Sequence, residues 1–560
     1  MNRKKFKIIL LTLIFVEIIS IFLTFQSFFN TKVYNSITKN EINDKLMAIY
    51  VDDGTGGGYK EYKDGYPEGY ELNLEATECL DINGNKVEDV ISYDNGEISV
   101  NIKKTVFCNL YFDISYTFAV YSDDNSLRFY KDKNIPIEGG DYKENYVVKV
   151  FTDFEKDVYS SYEDVPWHEY ANDIAKVEFV NEIRPKSTAY WFYGFQNITN
   201  FNIEKLNTKN VIDMSYMFYK FAYNTAPFDL EISNWDTSKV EDMSYMFYEL
   251  WHEDKTTSYE LDLSNWNTSS VTNMSYMFYG VRFRLGQDTN ASFNGDFELN
   301  ISTWDTSKVT NMSYMFYFFE YRNPLKVTLD LSTHEVTKDD KTKYIAWNTA
   351  NVENMEGMFG NMGYTAKEVV LNLSNWKVSH VTNMSKLFYK IAKNATSYAT
   401  IDFSNWDTSQ VTDMSYMFEE AGYNAKDWNG DGLTYLNTSS VTNMSRMFFN
   451  AGYSAENFAL NLLNWNVSKV TDMSEMFGNS GYNSPNFKLD LSNWNTSQVT
   501  NMYRIFYKAG GNADYYLELS KHTVTNKDGT TYTAWDVSNV DNYSEYNAYV
   551  EDKITIDDFE

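Results

Sequence analysis

The chain has 560 residues, with 48 Lys and Arg against 78 Asp and Glu for a formal net charge of −30, and a pI near 4.6. A surface this acidic repels phosphate backbones at long range, which excludes nucleic acid as a partner. Aromatic residues make up 17% of the sequence, and the acidity serves to keep such a protein soluble.

At the N-terminus Arg3, Lys4, Lys5 and Lys7 precede an apolar run from Ile8 to Phe29, 22 residues long and broken by one charge, Glu17. That length spans a bilayer, and the basic flank stays inside. Residues 1–30 are therefore predicted to be an N-terminal membrane anchor or signal segment. The expected form is a transmembrane helix, with the N-terminus cytoplasmic and the bulk of a single-pass protein extracellular. Secretion after signal cleavage is the alternative, although bulky Phe25, Phe28 and Phe29 stand where a small-residue cleavage pattern is needed.

Residues 31–115 read as a linker and a small antiparallel β domain, turn-rich around Gly54 to Gly58 and Tyr66 to Gly69 and alternating from Glu71 to Asp113. The chain's two cysteines, Cys79 and Cys108, both fall here. Exported, they are predicted to form one disulfide worth about 3 kcal/mol; two free thiols are the alternative. Residues 116–199 form the expected N-terminal cap, in which Ile174 to Phe179 followed by Trp191 and Phe192 resembles a degenerate rung.

Residues 200–549 repeat a unit eleven times. Its anchor is Leu206, Trp235, Trp266, Trp304, Trp347, Trp376, Trp406, Leu436, Trp465, Trp494 or Trp535, spaced 29 to 31 residues apart except for intervals of 38, 43 and 41. Five residues on stands Val, seven on Asn or Asp, and eight on Met in all but the last copy. An apolar-x-apolar step such as Leu261-Asp262-Leu263 precedes most anchors, with the alternation of a strand. A fixed period of this kind predicts a leucine-rich-repeat-like repeat solenoid with short parallel strands and irregular or short helical outer turns. The constant Asn or Asp suits a turn made in every rung, because its side chain bonds backbone two residues away. The longer intervals ending at Trp347 and Trp535 carry similar insertions, predicted to be hairpins turning around Lys338 and Asn526. Residues 550–560 are an acidic tail.

Ile401 to Phe418 and Leu489 to Asn501 match almost position by position the repeat Leu-Ser-Asn-Trp-Asp-Thr-Ser-x-Val-Thr-Asn-Met-Ser-x-Met-Phe. In this the chain resembles BspA-like bacterial surface proteins with leucine-rich-repeat-like solenoids. The resemblance implies a cell-surface-displayed, adhesin-like role, binding an extracellular protein or glycan of a host or neighbouring cell. It implies no catalytic residues. The chain departs from lipid-anchored members by having no Cys after its apolar segment.

Two tyrosine rows are the candidate ligand-binding residues: Tyr216 and Tyr219, Tyr245 and Tyr248, Tyr276 and Tyr279, Tyr314 and Tyr317. On a helical turn residues three apart share a face, so these phenols would align into a ridge, and aromatic ridges anchor interfaces. From the fifth copy the first row changes to Gly357, Lys386, Arg446, Glu475 and Arg504, with Tyr416 as an exception. A packing requirement would hold along the whole coil. The bland alternative is that the tyrosines only shield the core.

Asp427, Asn429 and Asp431 match the start of a calcium loop, but Thr438 stands where its bidentate carboxylate is needed, so a plain polar loop is the alternative to Ca2+. No other cofactor is expected. The five histidines are scattered, and no catalytic motif is present. The expected class is a binding protein and not an enzyme, with a structural coat or spacer on the cell surface as the alternative.

Overall fold

The computed structural model describes residues 115–541, apart from 226–229, 252–258, 282–296, 321–325, 339, 396–400, 431 and 516, together with short segments between 46 and 114 and the strand Ile554–Ile556. The chain divides into two units, residues 1–117 with 131–135, and residues 118–130 with 136–560.

In the first unit Leu46–Tyr50 and Glu78–Asp81 flank Val106–Leu110 in one antiparallel sheet. Glu97–Ile102 pairs antiparallel with Gly58–Tyr62 and Ile91–Asp94 in another. Cys79 is buried and disulfide-bonded. The only other cysteine of the chain, Cys108, stands opposite it in the strand register.

The second unit begins with a sheet that changes direction. Asn145–Phe151 lies antiparallel to Tyr116–Ser122, but Lys176–Phe179 pairs parallel with both Ser126–Asp132 and Asn200–Asn202. Beneath that change Phe129 stacks on Phe179 at 4.2 Å and on Trp191 at 5.7 Å, giving the first coil an aromatic floor.

From there on each repeat is one coil lying in register on the next. Parallel bridges run from Asp213 to Asp242 and on through Asn501. The Oδ1 of the bridging residue accepts the N–H two residues on, 2.7 Å from Ser244 to Asp242 and 2.9 Å from Ser385 to Asn383; this is the turn that the constant Asn or Asp predicts. In most copies a Thr two after the anchor donates its buried hydroxyl to the following coil, as from Thr408 to the Asn437 carbonyl at 2.9 Å. Most of the anchor indoles donate the opposite way, from Trp376 to the Leu331 carbonyl at 2.7 Å and from Trp494 to that of Leu462 at 3.1 Å, whereas that of Trp406 is buried without a partner among the described residues. Val, Met and Phe fill the interior, and the Phe rings stack at 5.5 Å from Phe278 to Phe316 and at 5.8 Å from Phe359 to Phe388. Short strands close the circuit, such as Lys326–Asp330 parallel to Glu368–Asn372 and Asn457–Asn461 parallel to Asn486–Asp490.

Both insertions are antiparallel hairpins, His334–Thr337 with Lys343–Ala346 and His522–Thr525 with Thr531–Ala534. Each is fastened to the preceding coil by a tyrosine hydroxyl, Tyr344 donating to the Thr303 carbonyl and Tyr532 to that of Asn493.

The fold class expected from the sequence needs correction. Among the described residues there is no α-helix, only strands, bridges, turns and the single-turn 3-10 helices Tyr162–Asp164, His168–Tyr170 and Leu433–Tyr435. The outer segments are not helical turns, and a coil without a helical element in each copy departs from the leucine-rich-repeat pattern. The cause lies in the backbone: Tyr216, Tyr245, Tyr276, Tyr314, Lys386, Tyr416, Arg446, Glu475 and Arg504 all have φ between 51° and 60°. A left-handed residue cannot continue a right-handed helix. Here it turns its N–H toward the next coil, 2.9 Å from Tyr216 to the Ser244 carbonyl, and the left-handed Lys220 does the same at 2.8 Å to Tyr248. Inter-coil bonds thus take the place of the helical ones.

The single-pass membrane placement is corrected as well. No helix among the described residues is long and apolar enough to cross a membrane, and the run from Ile8 to Phe29 lies outside the described residues.

Candidate ligand-binding face

The sequence-predicted tyrosines come together on one face. Tyr216 stacks on Tyr245 at 4.3 Å, Tyr245 on Tyr276 at 4.4 Å and Tyr276 on Tyr314 at 4.7 Å, with ring planes within 18° of parallel. Beside them Tyr219 stacks on Tyr248 at 4.5 Å, Tyr248 on Tyr279 at 4.4 Å and Tyr279 on Tyr317 at 5.4 Å. Both columns extend before the first repeat, since Tyr190 lies 4.6 Å from Tyr216 and Tyr193 lies 4.5 Å from Tyr219. Tyrosines three apart share the face because an i to i+3 turn joins them, with Tyr219 N–H donating to the Tyr216 carbonyl at 3.2 Å. Helical spacing therefore predicts the right neighbours through the wrong backbone.

All these rings are half-buried. Burial, and after it the neighbouring phenols, push the Tyr216 and Tyr276 hydroxyls above the ordinary phenol range; Tyr248 and Tyr317 are shifted the same way. A raised folded-state value means that the unfolded chain releases its phenol protons first. This part of the stability is fully present below the unfolded phenol pKa of about 10 and is lost as pH climbs beyond it. The melting temperature should accordingly hold from neutral pH to about 9 and fall steeply above about 10, together with the appearance of phenolate absorbance. Phenolate absorbance well before any fall in melting temperature would contradict coupling between the columns and folding.

Past Tyr314 the first column continues in other chemistry. The Tyr314 hydroxyl donates to the Glu356 carboxylate, and Lys386 Nζ lies 3.1 Å from that carboxylate and 3.3 Å from the Tyr314 hydroxyl. The Arg446 guanidinium lies over Phe449 at 3.9 Å and Tyr416 at 5.7 Å, bonds Glu419 at 2.8 Å and also pairs with Glu475. Ion pairs and cation–aromatic contacts thus fill the positions that phenols fill in the first four copies, so the change of residue type at Gly357 does not mark the end of packing.

Comparison with known proteins bears on the same stretch. A family described as "Mycoplasma protein of unknown function, DUF285" matches at residues 186–293, 254–337, 287–393, 327–451 and 422–545, more than half of the chain's 560 residues. The chain belongs to this family. No curated protein and no solved structure matches it. The five overlapping matches of a DUF285 unit make it a repeat protein by family as well as by period.

Within the DUF285 repeat, Gly357 and Gly360 occupy the two tyrosine positions of the fifth copy, and the Tyr314 and Tyr317 rings close over them. A Cβ on Gly357 would come 2.6 Å from Tyr314 Cε1, and one on Gly360 would overlap the Tyr317 ring. Gly360→Ala should therefore cost about 1–3 kcal/mol by overpacking, measurable by denaturant unfolding. A loss below about 0.5 kcal/mol, the usual size of a surface substitution, would show that the ring moves away freely.

A third aromatic column escaped the sequence reading. Tyr423, Tyr453 and Tyr482 stack at 4.6 and 5.0 Å, and Lys393 Nζ sits 5.1 Å from both Tyr364 and Tyr423 in place of a ring. Its signal was the recurring Gly-Tyr pair at 363–364, 422–423, 452–453 and 481–482.

Of the calcium candidates, Asp427 and Asn429 lie on the strand Asp427–Asn429, which pairs parallel with the next coil; Asp427 accepts from Asn457, and Asp431 lies outside the described residues. Each described histidine places Nδ1 on a backbone carbonyl, His168 on Val165 at 2.9 Å and His380 on Ala350 at 2.7 Å, with His334 and His522 bonded to Ser332 and Ser520.

Proposed function

We propose that this DUF285 protein is a non-catalytic, adhesin-like binding protein that works outside the cell and engages a protein or glycan of a host or neighbouring cell. The supporting observation is the pair of stacked tyrosine columns running over five successive levels, from Tyr190 and Tyr193 to Tyr314 and Tyr317. A bonded Cys79 accords with an oxidising compartment, and the resemblance to BspA-like surface proteins points to the same role. Replacing Tyr245, Tyr248, Tyr276 and Tyr279 together by Ser should weaken partner binding at least about tenfold, since each anchor of this kind contributes on the order of 1 kcal/mol or more. Unchanged binding by a folded variant would rule out the face.

The continuation of the column through Lys386, Arg446 and Glu475 favours a second reading, a structural coat whose columns serve packing alone. The same variant separates the two, because a coat loses stability without losing a partner.

A further inference from the structure

We propose that the hairpin His522–Ala534 is a self-association element, whose free edge strand His522–Thr525 pairs antiparallel with the same strand of a second copy of this chain. The inference goes beyond the tyrosine face and does not depend on it.

The register decides which backbone groups are already bonded. Asn526 N–H donates to the Thr530 carbonyl at 2.8 Å, and further along Val524 faces Tyr532 and His522 faces Ala534. Hydrogen-bonded pairs alternate with non-bonded ones along an antiparallel ladder, so Thr523 and Thr525 turn their N–H and C=O groups away from Thr531–Ala534. Among the described residues nothing takes up those groups. The other strand is held: Tyr532 donates its hydroxyl to the Asn493 carbonyl, and Trp535 N–H lies 2.9 Å from the Trp494 carbonyl, which ties Thr531–Ala534 to the preceding coil. The strand Ile554–Ile556 covers Leu517–Leu519, and its pairing ends short of the hairpin.

The hairpin at 334–346 shows a guarded edge for comparison. Its strands carry an ion pair, with Lys343 Nζ 2.7 Å from Glu335, and the next coil lies beside it, Thr333 N–H being 2.9 Å from the Ser374 carbonyl. Charged side chains are a common guard against edge pairing. His522–Thr525 and Thr531–Ala534 contain no Lys, Arg, Asp or Glu, and their Thr, Val and Tyr residues favour strands. Thr523 and Thr525 are exposed.

An open strand edge is completed by another extended strand, and this one is complementary to itself. With a two-fold axis at Val524, Thr523 faces Thr525 of the partner subunit and Thr525 faces the partner's Thr523, each pair exchanging both backbone bonds. Charge favours the same contact. The chain carries −30 overall, so two copies repel, but residues 520–534 hold Lys521 and Lys527 against Asp528, a net charge of +1. At the hairpin two copies meet without that opposition. The contact is smaller than a standard interface, so it is weak in solution and strengthens where many copies are displayed together.

The test is sedimentation equilibrium on the full chain over a concentration series, with amide hydrogen exchange read at Thr523 and Thr525. We expect reversible dimers, both amides exchanging freely in the monomer and becoming protected as dimers form. Thr523→Pro removes an N–H that makes no bond inside the hairpin, and Thr523→Lys/Thr525→Lys keeps the donors but sets like charges against each other. Each should weaken the dimer at least about tenfold with the melting temperature preserved. A chain that stays monomeric at every concentration overturns the proposal. So do dimers that survive both variants, or whose formation leaves the two amides unprotected. Dimers dissolved by added salt overturn it too, since ion pairing would then hold the copies together. Capture of an unrelated extended peptide at this edge by a chain that stays monomeric would make the occupant a foreign strand, and that also overturns it.

Discussion

Trp376→Ala is expected to lower stability by about 3–5 kcal/mol, the range for deleting a buried aromatic ring. Trp376 is fully buried, stacked on Trp347 at 6.3 Å and Trp406 at 6.2 Å and packed 6.0 Å from Phe359. Its indole also satisfies the Leu331 carbonyl at 2.7 Å, and an orphaned buried acceptor adds about 1–3 kcal/mol. Repeats interact chiefly with their neighbours, so the damage should be local, and unfolding that is cooperative in the parent should divide into two transitions. Hydrogen exchange read on residues 186–346 and 406–541 would show the two halves opening separately. The repeat contains its own control. Leu436 occupies the anchor position of the eighth copy and is buried there, so Trp376→Leu should cost clearly less than Trp376→Ala. Equal losses for both would show that ring stacking, and not filled volume, holds the column together.

Arg446→Met should cost about 3–5 kcal/mol at neutral pH, the penalty for removing one member of a buried ion pair. Glu419 is 4% exposed, and burial pushes its carboxyl above the usual range against the opposing pull of Arg446. Without Arg446 that carboxylate is left charged and unpaired, while Phe449 and Tyr416 lose the cation above them. The sign of the pH effect follows. With its folded-state value raised further, Glu419 destabilises the variant most at neutral pH, and the deficit shrinks as the pH falls toward about 4 and the carboxyl takes up its proton in both states. Arg446→Met/Glu419→Leu should recover most of the loss, since an apolar pair of similar volume replaces a buried ion pair at little cost. A deficit under about 1 kcal/mol, or one that grows on acidification, would contradict the assignment of Arg446 as the counter-charge of this column.

The two predictions bear on different kinds of column. Trp376 belongs to one whose residue type hardly changes, and it was visible in the sequence as a period. Arg446 belongs to one that changes from phenols to charges, and the sequence presents that change as a decay of the tyrosine row. The structure shows a substitution of one stacking chemistry by another, with Lys386 bridging the two at the Tyr314 hydroxyl. Likewise Tyr364, Lys393 and Tyr423 form a continuous column although one of the three is not aromatic.

What the sequence by itself determined is the set of residues that share a column. Each copy keeps the same offsets from its anchor whatever the length of the connection between copies, so equal offsets become vertical neighbours; Trp347 and Trp376, or Asn354 and Asn383, could be paired without coordinates. The hairpins at 334–346 and 522–534 were legible for a similar reason, since their turn residues act locally. Only the tertiary structure decided the path of the backbone between columns. The left-handed φ of Tyr216 or Lys386 is not a preference of those side chains, which disfavour it. It is imposed by hydrogen bonds to the next coil, and these form only once two coils are in place. That backbone excludes helical outer turns and sets the rings face to face.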